Sequence, residues 1–212
     1  MSARSVTEAV AQLRAGGLVG YPTETVWGLG ADATSQSAVD GLRRWKGRQA
    51  DQPISILVES AAALGALGFT VSPLARALMK AFWPGPLSLV LPCRRAFARG
   101  IARADGAVGV RCSSHPVAAA LAAGLSREGV GPITSTSLNR SGEAPARSAQ
   151  EARAICGDAS DAPQLLDEAD APPASGASST VVDLCGAEPV VRRWGAVPRE
   201  RIEPLFAGGG GS

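Results

Sequence analysis

The 212-residue sequence holds one histidine, one tyrosine and two lysines, and only 4% of it is aromatic. Each shortage removes a class of chemistry. With His115 alone, histidine-based acid–base or nucleophilic catalysis has a single candidate. That residue precedes Pro116 at an expected helix start, where a structural or capping role is anticipated. The four cysteines, Cys93, Cys112, Cys156 and Cys185, form no close pair, and no zinc-type ligand set accompanies them. Four reduced, mostly buried thiols are expected. Few aromatics also means few platforms for stacking single-stranded bases. No apolar run approaches the roughly 20 residues a membrane helix needs. The first residues lack a basic segment followed by an apolar core, so no secretory signal is read and a cytoplasmic, membrane-free protein is expected. Also missing are Gly-x-x-x-x-Gly-Lys-Ser/Thr, Gly-x-Gly-x-x-Gly after a strand, and Gly-x-Ser-x-Gly.

What is present is a globular composition, 45% hydrophobic and 19% charged, enough for one sizeable core. The net charge of +2 conceals an asymmetry. Between Asp40 and Arg111 there are 11 basic and four acidic residues, a net of +7 that favours an anionic partner. Arginine outnumbers lysine 19 to 2, so Lys46, in Lys46-Gly47-Arg48, stands out.

Helices are expected over 5–15 with Ser5 or Thr7 as cap, 35–45 capped by Ser35, 60–67, 73–83 started by Ser72-Pro73, 114–125 started by Ser114 and Pro116, and 149–155. Arg43 and Arg44 close the second of these, where they complement the helix dipole. Strands are expected at the apolar run ending at Tyr21, then at 53–58, 87–91, 107–112, 132–136 and 164–166, with a hairpin-like pair at 180–184 and 189–193. The interleaving argues for α/β with a mixed sheet. Gly17–Gly30 reads as one buried strand that breaks at Pro22 into a loop bearing Thr23, Thr25, Gly28 and Gly30. Residues 207–212 read as a flexible Gly/Ser tail that resembles a linker.

The candidate chemistry is a set of cations and hydroxyls at strand ends: Thr23, Lys46, Arg48, Arg111, Ser135, Ser137, Ser179, Thr180 and Arg193. Such an inventory suits phosphate chemistry carried by positioning and charge stabilisation, with Mg²⁺ arriving on a nucleotide and no dedicated metal site.

Six stretches carry a resemblance. They are Tyr21-Pro22-Thr23-Glu24-Thr25-Val26-Trp27-Gly28-Leu29, Lys46-Gly47-Arg48, Pro84-Gly85-Pro86-Leu87-Ser88-Leu89-Val90-Leu91, Val108-Gly109-Val110-Arg111, Ser135-Thr136-Ser137-Leu138-Asn139-Arg140-Ser141-Gly142 and Ser179-Thr180-Val181-Val182-Asp183. In this order they resemble the YrdC-like threonylcarbamoyl-AMP synthases, over roughly residues 5–205. The resemblance implies the short, single-domain form: a 5–206 domain built as a twisted mixed α/β sheet around a deep basic cavity. It implies synthesis of threonylcarbamoyl-adenylate and pyrophosphate from L-threonine, bicarbonate and ATP. The product would serve N6-threonylcarbamoylation of adenosine 37 in tRNA, with a possible tRNA contact and handover to a tRNA threonylcarbamoyltransferase complex. By motif, Lys46 and Arg48 would be catalytic and face the nucleotide phosphates. Ser137, Asn139 and Arg193 would be further ATP contacts. Thr23, Ser55, Arg111, Ser135 and Ser179 would bind L-threonine, with Arg111 on its carboxylate. Trp27, Leu138 and Trp194 stand where tyrosine, alanine and proline are common, and Asp167-Glu168-Ala169-Asp170 replaces a glycine-rich stretch. These departures leave open a paralogue with altered or lost substrate specificity. An RNA-binding module using the basic segment is the other alternative.

Overall fold

A computed structural model describes residues 5–49, 52–159, 161–166 and 172–208. The acidic stretch at 167–170 lies outside the described residues. Among those described, nine strands form one mixed sheet in the order β7-β1-β2-β6-β3-β5-β4-β8-β9. In chain order these are β1 (Val19–Tyr21), β2 (Gly28–Gly30), β3 (Ser55–Leu57), β4 (Leu87–Pro92), β5 (Ala107–Arg111), β6 (Ile133–Ser137), β7 (Gln164–Leu165), β8 (Thr180–Asp183) and β9 (Val190–Arg193). The helices are α1 (Val6–Arg14), α2 (Gln36–Lys46), α3 (Ala63–Ala66), α4 (Pro73–Phe82), α5 (Pro116–Arg127), α6 (Ala149–Cys156) and α7 (Arg199–Gly208). β1–β7, β3–β5 and β4–β8 are parallel and the other pairs antiparallel, so the expected mixed α/β sheet is observed.

Helix starts follow their capping chemistry. Ser5 and Glu8 form a capping box on α1, and Ser35, Ser72 and Ser148 accept amide hydrogen bonds at the starts of α2, α4 and α6. At α5 the cap is His115 and not Ser114; its ring accepts from the Val117 amide. α2 ends in Gly47 at φ 66°, a left-handed turn that suits glycine.

The side chains of β1, β3 and β6 alternate, and this divides the sheet's two faces. Val19, Tyr21, Leu57 and Ile133 pack with α1 and α5 in one buried cluster. Leu29, Ile56, Val108 and Val110 belong to a second cluster that includes residues of α2 and α4. The four cysteines are unpaired; Cys112 and Cys156 are buried and Cys93 and Cys185 half-buried.

Three expectations are corrected. Gly28–Gly30 is a strand paired with β1, not loop, so the opening turn is confined to 22–27. Glycine has weak strand propensity, and packing overrides it here. A Cβ on Gly28 would lie 2.6 Å from the Tyr21 ring, and one on Gly30 would lie 2.0 Å from Ile133 Cδ1. Lys46 is the last residue of α2, not a residue beyond it. Finally, α7 was not anticipated; it continues through Gly208, past the expected start of the tail, and Gly209–Ser212 lie outside the described residues.

Candidate active site

A cavity of about 340 Å³ opens on the sheet face shared with α1 and α5. Its floor is a belt of cross-strand neighbours. Gly28 is opposite Ser137, Ser135 opposite Ser55, Arg111 opposite Ser88, and Val181 lies between Ser88 and Arg193. On β6, Ile133 goes into the core while Ser135 and Ser137, two and four residues on, reach the cavity. On β5, Val108 and Val110 are buried in the opposite cluster, which leaves Gly109 and Arg111 on the cavity side. Gly109 makes room, since a Cβ there would come 2.3 Å from Ser55 Oγ.

Of the residues singled out from sequence, Thr23, Arg48, Ser55, Arg111, Ser135, Ser137, Asn139, Ser179 and Arg193 line this cavity together. Lys46 does not. Its side chain is buried beneath the Ser137–Asn139 wall, where Nζ donates to Ser137 O (2.5 Å), Asn139 O (2.9 Å) and Asn139 Oδ1 (3.0 Å). Burial, and then the charge of Arg48, push its pKa down to about 7. The three acceptors restrain that fall, because only the ammonium has a proton for each. Asn139 is equally committed: Oδ1 also accepts from Ser137 Oγ (2.6 Å), and Nδ2 donates to Arg140 O and Glu143 O.

Thr23 stands in the wall with its hydroxyl turned into its own loop. It donates to Val26 O (2.6 Å) and accepts from the Thr25 amide (3.2 Å) and the Thr25 hydroxyl (2.9 Å). Those three bonds use its full capacity. Ser55, by contrast, makes no side-chain hydrogen bond among the described residues, so its hydroxyl is free for a ligand.

Arg111 is the focal cation. It is 6% exposed. Its Nη2 lies 2.9 Å from Glu24 Oε1, yet Nε and Nη2 have no hydrogen-bond acceptor with good geometry. Ser113 Oγ donates to the other Glu24 oxygen. Burial pushes the Glu24 carboxyl up, but Arg111's charge and the Ser113 bond outweigh it and hold the group below its ordinary value. Across the floor, Arg193 donates to Ser179 O (3.0 Å) and Ser179 Oγ (3.1 Å), and Ser179 shares a hydrogen bond with Ser88 (3.0 Å). Burial and then Arg111's charge lower the pKa of Arg193; burial and then Arg43's charge lower that of Arg48. These cations are held against desolvation and mutual repulsion, which an anionic ligand would relieve.

Glu24, Ser88 and Ser178 were not singled out from sequence. Ser88 sits inside a quoted motif, and Glu24 is the one carboxylate in the opening loop; both were legible as residues but not as neighbours of Arg111. Trp27 is 3% exposed and forms part of the wall. Leu138 is fully buried and packs against Gly20. Trp194 is 39% exposed, with the Arg199 guanidinium 5.3 Å over its ring. A larger, more open groove of about 710 Å³ lies elsewhere, between Phe69, Met79 and Trp83, but it gathers none of the cavity residues named above.

Fold and cavity together define a class: a mixed-sheet α/β protein that gathers arginines and serines around one cavity. The chain belongs to the Sua5/YciO/YrdC family, whose model, described as "Telomere recombination", matches residues 11–195. A Bacillus subtilis protein named threonylcarbamoyl-AMP synthase is 34% identical over 204 residues, covering 95% of this chain and 56% of its own. A Mycobacterium tuberculosis protein bears that name provisionally; it is 42% identical, with 96% of this chain and 89% of its own covered. The solved structure of Pyrococcus abyssi Sua5 complexed with L-threonine matches with a TM-score of 0.84 and 35% identity, over 95% of this chain and 57% of that one. The chain thus spans little more than half the length of the Bacillus and Pyrococcus proteins.

Proposed function

We propose that this protein is a threonylcarbamoyl-AMP synthase, forming threonylcarbamoyl-adenylate and pyrophosphate from L-threonine, bicarbonate and ATP. The observation that carries this reading is Arg111: a buried guanidinium, ion-paired to Glu24, in a cavity ringed by serine hydroxyls. A planar guanidinium binds a carboxylate through two parallel hydrogen bonds. The names of the relatives and the threonine complex of the Pyrococcus structure support the same reading.

In this reading Arg111 holds the threonine carboxylate, with Ser55, Ser135 and Ser179 around the amino acid and Thr23 shaping the loop. Arg48, Ser137 and Arg193 meet the nucleotide, while Lys46 and Asn139 hold the nucleotide-side wall in shape. The threonine amine joins bicarbonate to give a carbamate, with loss of water. A carbamate oxygen then bonds to the α-phosphorus as the α–β phosphoanhydride bond breaks and pyrophosphate leaves. The chain contributes positioning and positive charge to that step. Magnesium would come on the nucleotide, where it neutralises phosphate charge; no group of three or more His, Cys, Asp or Glu placed to hold a metal exists among the described residues. The tRNA role, the receiving transferase complex and a cytoplasmic location belong to the same proposal. No helix among the described residues is long and apolar enough to cross a membrane.

The test is incubation with radiolabelled bicarbonate, Mg-ATP and L-threonine. Labelled adenylate and pyrophosphate are expected; ATP binding without threonine-dependent turnover would sink the reading.

A paired substitution separates site from scaffold. Arg48→Ala should raise the KM for ATP roughly tenfold, as loss of a charged phosphate contact does. Arg43 donates to the carbonyls of Gln49, Gln52 and Gly100, so it is a brace between loops as well as a dipole partner. Arg43→Ala should cost about 1–3 kcal/mol of stability and leave the KM values unchanged. Equal effects on ATP binding would mean that both act as a diffuse field.

A further inference from the structure

His115 is 2% exposed and is not part of the cavity lining, yet both its ring nitrogens are engaged. Nδ1 accepts from the Val117 amide at 3.3 Å and so carries no proton. The proton is therefore on Nε2, which lies 3.0 Å from the carbonyl of Pro172. Pro172 leads the segment that brings the chain back to the cavity. Within it, the Ser175 amide donates to Glu24 O (3.0 Å) and the Gly176 amide to Thr25 O (2.8 Å). Ser178 and Ser179 follow directly and line the cavity. The His115 amide also donates to Ser113 Oγ (3.2 Å), which donates to Glu24, the partner of Arg111.

We propose that His115 is a positioning residue: it ties residues 172–179 to the opening loop and thereby sets the Ser178–Ser179 wall at its distance from Arg111. Capping α5 needs only an acceptor at Nδ1, which serine or asparagine would supply as well. An imidazole adds a donor on the far side of the ring, and that second bond is the one that reaches the wall. The link to substrate rests on the threonine reading of the cavity.

Two substitutions divide the ring's roles. Asparagine places an acceptor near Nδ1, and glutamine places a donor near Nε2. In H115N the Val117 amide should stay protected, while hydrogen exchange at Ser175 and Gly176 should quicken roughly tenfold or more. The KM for L-threonine should rise roughly fivefold with kcat within about twofold, the split expected when ground-state and transition-state binding weaken alike. H115Q should show the reverse: Ser175 and Gly176 protected, Val117 exchanging faster, the unfolding midpoint lowered and the KM near that of the parent. Unchanged exchange at Ser175 and Gly176 in H115N overturns the tie. Faster exchange with an unchanged KM overturns its link to the reaction, and identical behaviour of the two variants overturns the division of roles. If the parent protein itself shows no threonine-dependent turnover, the functional reading fails separately, and the exchange data still decide the tie.

Discussion

Arg111→Met is expected to cost roughly 10² to 10⁴ in kcat/KM, because two charged hydrogen bonds worth about 1.5–3 kcal/mol each are removed. The loss should fall on the KM for L-threonine, and ATP affinity measured by calorimetry should change by no more than about threefold. Arg111→Lys should recover only part of it, since an ammonium keeps the charge without the bidentate fork. A second effect follows from Glu24. Removing Arg111 leaves that half-buried carboxylate with Ser113 as its only side-chain hydrogen-bond partner among the described residues, at a cost of about 3–5 kcal/mol of stability. Adding Glu24→Gln should restore most of the lost stability in a urea titration and none of the activity. An unchanged threonine KM in Arg111→Met removes the carboxylate assignment, and a double variant no more stable than the single one removes the coupling between Glu24 and Arg111.

Lys46→Met should destabilise the fold by about 3–5 kcal/mol, because three oxygens that now accept from Nζ lose their donor inside the protein. The Ser137–Asn139 wall should loosen with it and raise the KM for ATP roughly tenfold or more. A lysine that touched phosphate directly would behave otherwise: kcat would fall while stability held. The pH dependence carries its own sign. In the unfolded chain Lys46 keeps its proton up to the ordinary lysine range near 10.5, whereas in the fold it begins to lose it near 7. Between those values the unfolded state binds more protons, so this residue's contribution to stability improves as pH rises. The stability difference between the parent and Lys46→Met should therefore be larger at pH 9 than at pH 6.5. A difference that is flat over that interval would show that the three acceptors hold the ammonium fully charged.

Much of this architecture was open to reading before any coordinates. Serines before helices, Pro73 and Pro116 at first helical positions, and apolar runs such as Ile54–Val58 act through local chemistry, and their elements formed where expected. The residues gathered in the cavity were legible as well, because arginines and hydroxyls at strand ends are unusual in kind, and six ordered motifs tied them together. What escaped was non-local. Gly28–Gly30 looked like loop because its strand depends on Tyr21 and Ile133 filling the space its missing side chains leave. Lys46 looked like a phosphate ligand because its charge is visible in sequence and its burial is not. Thr23 looked like a substrate hydroxyl because nothing in the order of residues says that Val26 and Thr25 already use it.

By itself, then, the order of amino acids determined the α/β class, the serine caps of α1, α2 and α4 and the inventory of cations and hydroxyls, since these follow from propensities and side-chain chemistry within a few residues. Only the tertiary structure decided which of those groups face a ligand and which brace the fold. That division is set by register across the sheet and by who occupies each hydrogen bond. It placed Arg111 in the cavity beside Glu24, put Lys46 behind the wall with its ammonium engaged by three oxygens, and joined the lone histidine to the segment that carries the Ser178–Ser179 wall.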